Sequence, residues 1–136
     1  VIIGQRLVRR LCKDSEEYRL SATEQKELAK SVDLERVLAA LKEEKIVGPK
    51  ATWNDVSMFR PKQNGECPDG YSGRIGINEV LSMTLTVKSL MMQRVSSDQI
   101  ETQAKADGML TMIEDGIFKC VQGLTTIEEV LRVVTE

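Results

Sequence analysis

The sequence predicts an α+β fold that is mainly helical, with a helical insert and a short β-element followed by a C-terminal helical bundle. Apolar residues recur at helical spacing, behind helix-capping sequences, between residues 22 and 45 and again after residue 86. The segments that alternate in the manner of strands are 51–60 and 73–81. With 136 residues, of which 41% are hydrophobic and 29% charged, the chain is long enough to bury one core.

The first segment, VIIGQRLVRRLC, is predicted to be a helix. Val1, Ile2, Leu7 and Leu11 fall within reach of one helical face, and the arginines lie mostly off that face. Nothing before Val1 could cap this helix. We therefore expect the chain to be cut from something longer.

Two further helices are predicted after this segment. Ser21-x-x-Glu24 has the form of a capping box and begins a helix over about 22–31. Asp33 can cap the next helix, LERVLAALKEEK, which we expect to end at Gly48-Pro49.

The predicted β-element comes next. The segment ATWNDVSMFR is predicted to be a strand, and residues 61–70 a loop. In this loop region Gly70 and Gly73 are expected to supply positive φ in a tight turn. From Gly73 to Leu81 the alternation predicts a strand that lies in the core.

The last third of the chain is predicted to be helical. One helix runs from about Thr86, a second opens at Ser96 or Ser97 and stops at Gly108, and a third covers MLTMIEDGIFKCVQG up to Gly123.

A capping box, Thr125-x-x-Glu128, begins the final helix, with the Thr125 hydroxyl expected to accept from the amide of Glu128. Its predicted buried face packs on the preceding helix, where Gly116 would allow a close approach. That face comprises Ile127, Val130, Leu131 and Val134, and its expected partners are Ile113, Ile117 and Cys120.

Composition excludes several classes of function. The net charge of -2 leaves no electrostatic footprint for nucleic acid or for an anionic membrane, so neither is an expected partner. No apolar run reaches the roughly 20 residues that span a bilayer, so no direct membrane insertion is expected. No signal-peptide pattern is present at the first residues. The absence of histidine removes His-based catalytic triads, most zinc catalysis and the commonest general base at neutral pH.

The three cysteines, Cys12, Cys67 and Cys120, are an odd number without the spacing of a disulfide framework, which favours a reducing cytoplasm. Ser15 follows Cys12, and Asn64 precedes Cys67, where a C-x-x-C partner would stand. Structural zinc needs four nitrogen or thiolate ligands, and the nearby carboxylates, Asp14, Glu16 and Glu66, are weaker choices. We therefore expect no zinc and interpret all three cysteines as small buried residues.

No catalytic, cofactor-binding or metal-ligating residue is assigned from the sequence. The glycines of DGYSGRIG are not part of a G-x-x-x-x-G-K-[ST] phosphate loop, and no such motif occurs in the chain. Asp107, Glu114 and Asp115 fall on predicted helix ends and exposed faces, so we expect them to be solvated rather than paired for catalysis.

Four blocks, in order along the chain, resemble the type II secretion and type IV pilus assembly ATPases, which are hexameric motors. Gln5–Cys12 resembles their AQRLVRxLC segment, and Gly70–Leu81 their GYxGRxGIxEVL segment. Ala106–Gly116 is similar to EEGMxTLxEDG, and Gly123–Val133 to GLTTxEEVLRV. Residues 19–60 lie in a part that varies within the family.

The resemblance implies a division of the chain. Residues 1–12 would end a helix of the ATPase core, 13–70 would be a variable insert, and 71–136 a C-terminal strand and helical subdomain. Family members commonly carry two C-x-x-C pairs that hold zinc in the insert. By this resemblance Cys12 stands at the first ligand position, and Cys67 lies one residue closer to the glycine–tyrosine pair than the last family cysteine, so the insert is a degenerate cysteine-motif region.

The resemblance also implies the function. The Walker motifs of the family precede the QRL segment, so this chain would be a non-catalytic C-terminal region of an ATPase that binds ATP and magnesium elsewhere. The parent would be a homo-hexamer in the cytoplasm, peripheral to the inner membrane. Its partners would be an inner-membrane platform protein and the neighbouring motor subunits. Protein secretion, pilus assembly and DNA uptake are not distinguished by these motifs.

Two alternatives come from other classes. A winged-helix nucleic-acid binder would use the two helices near 22–45 and the two following strands, but LERVLAALKEEK balances its bases with acids. A metal or redox module would depend on Cys12 and Cys67 alone.

Overall fold

The computed structural model describes residues 1–134 and has the α+β fold that the sequence predicts. The strands are β1 (Ile2–Leu11), β2 (Ser15–Arg19), β3 (Ser57–Pro61) and β4 (Tyr71–Leu81). The helices are α1 (Ala22–Ala29), α2 (Leu34–Glu43), α3 (Leu85–Met92), α4 (Ser97–Ala106), α5 (Met112–Val121) and α6 (Ile127–Val134). None of these helices is long and apolar enough to cross a membrane.

The first segment is a strand, so the prediction of a helix there was wrong. β1 pairs antiparallel with β4 along its length, from Ile2 opposite Leu81 to Leu11 opposite Tyr71. Strand propensity and helical spacing are both weak local signals in a short apolar segment, and a partner strand far along the chain decides between them.

A bulge interrupts this pairing near its end. Arg9 lies opposite Arg74 but Leu11 lies opposite Tyr71, so β4 carries one more residue than β1 between these pairs. Gly73, in the bulge, has φ +75°, and Gly70, just before the strand, has φ +82°. The predicted positive φ of both glycines is confirmed.

A second two-stranded sheet joins β2 to β3, from Ser15 opposite Pro61 to Arg19 opposite Ser57. Only the second half of the strand predicted over 51–60 is extended. Its first half forms a 3-10 turn, Trp53–Asp55, because the Asp55 carboxylate accepts from the Thr52 amide at 3.0 Å. The neighbours β3 and β4 lie in different sheets, so they do not form the hairpin that a winged helix requires.

The starts of α1 and α2 are confirmed, and the end of α2 is not where we predicted it. Ser21 and Glu24 form the capping box of α1, and Asp33 caps α2 by accepting from the Arg36 amide at 3.2 Å. α2 ends before Gly48, because Lys45 takes φ +60°. The amide of the next residue, Ile46, then donates to the Leu41 carbonyl at 2.9 Å, which closes a Schellman turn.

The α3 and α4 helices pack on each other, as do α5 and α6. α4 starts behind Ser96, and the positive φ of Gly108 (+101°) follows its end, as predicted. A capping box that we did not predict, Thr111 with Glu114, begins α5.

The cap of α6 lies one residue later than predicted. The Thr126 hydroxyl accepts from the Glu129 amide at 3.2 Å. The Thr125 hydroxyl donates instead to the Arg9 carbonyl of β1 at 2.8 Å. The buried face of α6 shifts with the cap, so Val130 and Val133 are buried while Leu131 is half-buried.

One core takes residues from all along the chain, from Val8 to Val133. Gly116 of α5 approaches Val130 of α6, as predicted: a Cβ on Gly116 would lie 2.5 Å from Val130 Cγ1. The buried thiol of Cys120 is part of this core, as predicted. The core also includes Val8, Val37, Leu41, Met58, Ile77, Ile117 and Val133.

Candidate functional site

The two faces of the β1–β4 sheet differ in their surroundings. Val8 and Ile77 lie on the inner face and are buried in the core. On the outer face, Ile3 is 62%, Leu7 51% and Val80 42% exposed. The apolar outer face is thus accessible to solvent over the part of the sheet that is farthest from the bulge.

The outer edge of β4 is covered by α5. The Asp115 carboxylate accepts from the backbone N–H of Asn78 at 2.8 Å, and the Lys119 ammonium donates to the backbone carbonyl of Gly76. Lys119 also pairs with Asp115 at 2.8 Å, so the two side chains satisfy the strand edge and each other. These contacts cover the outer edge of β4 at Gly76 and Asn78, where another strand would otherwise pair.

The outer edge of β1 is covered only at its end. The Arg9 amide donates to Glu129 at 2.8 Å, and the Leu11 amide donates to the Leu124 carbonyl at 2.9 Å. Because backbone groups alternate in direction along a strand, the amides and carbonyls of Ile3, Gln5 and Leu7 face this same edge. No strand within residues 1–134 pairs with them.

We call Ile3, Gln5, Leu7 and Val80 the open β1 surface. It combines an apolar face with an unpaired strand edge, which soluble proteins normally avoid because it templates association with another chain. Val1, which comes directly before β1, is also exposed. The arrangement is suited to pairing with, or packing against, further polypeptide.

A buried carboxylate holds the covered end of β1 to α6. Glu129 is only 2% exposed and accepts from Arg9 Nη2 at 3.0 Å and from Arg132 Nε at 3.1 Å. Burial by itself would raise the pKa of the Glu129 carboxyl. Hydrogen bonds from Arg132 and Arg9 outweigh that effect and lower the pKa to about 2.

Tyr71 completes this cluster from β4. The Arg9 guanidinium carbon lies 4.3 Å from the centroid of the Tyr71 ring, and the Tyr71 hydroxyl is 3.0 Å from Thr126 Oγ1. Three of the sequence blocks that carry the family resemblance therefore meet at one place. The hydrogen bonds of the cluster join two strands to a helix, which is a structural role.

A second buried carboxylate corrects the prediction for the acidic residues. Glu114 is buried, not solvated, and Arg36 of α2 donates to it at 2.7 Å. Arg36 also donates to the Met109 carbonyl, which follows α4. Asp115, which covers the edge of β4, is likewise paired. Only Asp107 is exposed as predicted, and it accepts from the Thr84 hydroxyl.

Cys12 and Cys67 form a disulfide, so the interpretation of these two as separate buried residues was wrong, and the cysteines no longer favour a reducing compartment. Their Cα atoms are 6.5 Å apart across a sequence separation of 55. The β1–β4 register is the cause, because the Cys12 amide donates to the Gly70 carbonyl at 3.0 Å and so lies beside the loop that holds Cys67. No local signal in the sequence indicates this pairing.

Among residues 1–134, no cluster of three or more Cys, Asp or Glu side chains is arranged so that it could bind a metal ion. The two buried carboxylates, Glu129 and Glu114, are neutralised by arginines. The open β1 surface is therefore the candidate functional site.

Comparison with known proteins places this chain in a family. The model of the type II/IV secretion system protein family matches residues 1–132. The chain belongs to that family.

Three characterised relatives match almost the whole chain. The type II secretion system protein E of Xanthomonas campestris pv. campestris is 35% identical over 136 residues, or 99% of this chain. The type IV pilus assembly ATPase PilB of Pseudomonas aeruginosa is 30% identical over 137 aligned positions and 100% of this chain. The type II secretion system ATPase E of Vibrio cholerae is 32% identical over 135 residues, or 99%.

The match covers only part of each relative. The chain spans 21% of the Xanthomonas protein, 21% of the Pseudomonas protein and 23% of the Vibrio protein.

Proposed function

We propose that this chain is the C-terminal, non-catalytic region of a secretion or pilus-assembly ATPase, and that the open β1 surface packs against the nucleotide-binding core of the parent protein. The observation that carries this proposal is the unpaired edge of β1 beside the exposed Ile3 and Leu7. A sheet of the parent core that continued onto β1 would pair these backbone groups and bury both side chains.

The names of the relatives support the proposal that the parent protein hydrolyses ATP. Two of the three relatives are described as ATPases, and the 136 residues contain no phosphate loop. In this proposal ATP and magnesium are bound upstream, and residues 1–12, 13–70 and 71–136 serve as the end of the core, a variable insert and a C-terminal subdomain. The parent acts as a homo-hexamer in the cytoplasm, at the inner membrane, with a platform protein as partner.

Substitution of the open β1 surface tests the proposal. In the full-length parent, Ile3→Lys with Leu7→Lys is expected to lower ATP hydrolysis at least tenfold, because two charges would be buried without partners. The matched control is Ala39→Lys, at an exposed position of α2. The same double variant of the 136-residue chain should keep its unfolding midpoint, since both positions are exposed there. Normal hydrolysis by the double variant of the parent would contradict the proposed packing.

Nucleotide binding tests the non-catalytic assignment separately. Calorimetric titration of the 136-residue chain with ATP and magnesium is expected to give no saturable heat at millimolar nucleotide. Saturable, magnesium-dependent binding would place nucleotide ligands within this chain.

A further inference from the structure

A groove of about 370 Å³ lies between α1 and α6, on a different part of the surface from the open β1 surface. Leu20 and Leu28 form part of its floor and are buried, and Ile127 and Leu131 of α6 line the other side. The groove is therefore an apolar trough bordered by two helices, with room for several large aliphatic side chains.

The rim of this groove is acidic. Glu24, Glu27 and Glu128 line it, and no lysine or arginine is among its lining residues. Glu27 pairs with Lys30 at 2.9 Å, but both side chains are about 70% exposed, so this surface pair is weak and can exchange for another cation.

The surroundings of Tyr18 give a second indication of negative potential. This side chain also lines the groove. Burial, together with the carboxylates of Glu128 and Glu24, raises the pKa of Tyr18 to about 12, although the Arg60 guanidinium lies 3.9 Å from the ring centroid and opposes the shift.

We propose that the groove between α1 and α6 binds a basic amphipathic helix of a partner protein, with aliphatic side chains on the floor and Lys or Arg against Glu27 and Glu128. Apolar anchors at i, i+3, i+4 and i+7 fit a trough between two helices, and flanking cations complement its acidic rim. An anionic membrane or a nucleic acid would be repelled by the same rim. The inference stands apart from the proposed function, because it uses neither β1 nor the proposed packing against a nucleotide-binding core.

The test uses a fluorescently labelled synthetic helix of about 14 residues, with leucines at the anchor positions and lysines elsewhere, titrated into the 136-residue chain. Saturable one-to-one binding that weakens as salt is raised is expected. The same peptide with its leucines replaced by serines is expected to bind at least tenfold more weakly. Equal affinity for the two peptides would overturn the proposal, because the floor would then not be used.

Matched variants locate the binding site. Glu27→Gln with Glu128→Gln is expected to weaken binding about tenfold. Glu43→Gln with Glu44→Gln removes the same charge from exposed positions at the end of α2 and should leave affinity within twofold. If both pairs weaken binding equally, the attraction is to net charge alone and the proposal fails.

The apolar lining of the groove has its own variant and control. Leu131→Ala should weaken binding severalfold, whereas Leu85→Ala, at a residue that is 85% exposed on α3, should not. Circular dichroism melts establish whether each variant is folded. If Leu131→Ala is not folded, the rim variant Glu27→Gln with Glu128→Gln still tests the site independently.

Further measurements distinguish the proposed partner helix from two other occupants of the groove, a second copy of this chain and the parent's own upstream domains. Sedimentation of the unliganded chain is expected to give a monomer whose distribution is the same for the Leu131→Ala variant; a dimer lost in that variant would assign the groove to a second copy. The full-length parent is expected to bind the peptide within twofold of the chain. Loss of binding in the parent would assign the groove to the parent's own upstream domains and overturn the proposal of a separate partner.

Discussion

Glu129 keeps a negative charge inside the protein because four hydrogen bonds from Arg9 and Arg132 stabilise the ionised form. Its pKa in the folded state is lowered from 4.5 to about 2. A carboxyl with a depressed folded pKa contributes stability above its unfolded pKa, and that contribution is lost as the pH falls toward the folded pKa. The difference corresponds to about 3 kcal/mol.

The Glu129→Gln variant should therefore be less stable than the unsubstituted chain at pH 7, by up to about 3 kcal/mol. Between pH 5 and pH 2 the stability of the variant should fall less steeply than that of the unsubstituted chain, because the variant has no carboxyl at position 129 to protonate. Urea unfolding at a series of pH values measures both effects. Glu128→Gln, an exposed neighbour with the same change of charge, is the control. Parallel pH curves for Glu129→Gln and the unsubstituted chain would refute the assignment.

The two adjacent threonines just before α6, Thr125 and Thr126, have different roles, although both are buried. Thr126 caps the helix and meets the Tyr71 hydroxyl, while Thr125 holds the helix start to the Arg9 carbonyl. Thr126→Ala should cost about 1–2 kcal/mol and speed amide exchange at Glu129, since that amide loses its acceptor. Thr126→Ser should preserve the slow exchange.

Thr125→Ala is the companion measurement. It should lower stability by about 1 kcal/mol, through the lost bond to β1, without speeding exchange at the Glu129 amide. If Thr125→Ala, and not Thr126→Ala, speeds amide exchange in the first turn of α6, the cap is Thr125, as the sequence pattern predicts, and not Thr126.

At the scale of elements, the contact between α5 and α6 depends on the absence of a side chain at Gly116. A methyl group there would lie 2.5 Å from Val130 Cγ1, so Val130 or a helix axis must shift. Gly116→Ala should destabilise the protein by about 1–3 kcal/mol, as overpacking does. Gly65→Ala is the control, because a Cβ at Gly65 would meet nothing within 4 Å.

A double variant separates this clash from a general effect on the helix. Val130→Ala leaves a cavity and costs stability, but it also makes room for a methyl group at position 116. The two substitutions together should therefore cost less than the sum of their separate effects, measured by chemical denaturation. Strict additivity would mean that the two helices do not meet at these residues.

In the molecule as a whole, the disulfide joins the end of β1 to the loop before β4 and closes a long segment that contains β2, α1, α2 and β3. Cys12→Ser with Cys67→Ser should lower the unfolding free energy by roughly 2–4 kcal/mol, because the unfolded chain is no longer constrained. A reductant should bring the unsubstituted chain to the same value and leave the variant unchanged.

Thiol titration checks the pairing directly. The denatured, unreduced chain should expose one thiol, that of Cys120, and the reduced chain three. Three reactive thiols before reduction would show that Cys12 and Cys67 are not paired.

Features that depend on neighbouring residues were predicted from the sequence. The starts of α1 and α2 follow from side chains that cap amides three residues away, at Ser21 and Asp33. The left-handed glycines and the family blocks are also local. The existence of most elements, and the α+β class, could therefore be predicted before any tertiary contact was known.

Tertiary structure decided the features whose partners are distant in sequence. β1 is a strand because β4 pairs with it, Glu129 is buried because it meets Arg9 at a separation of 120 residues, and Cys12 meets Cys67 through the same register. The open β1 surface could not be predicted either, since an edge exists only once the partners of a strand are known. Local hydrogen bonds are encoded within one turn of the chain, whereas pairing and burial depend on which distant segments the whole fold brings together.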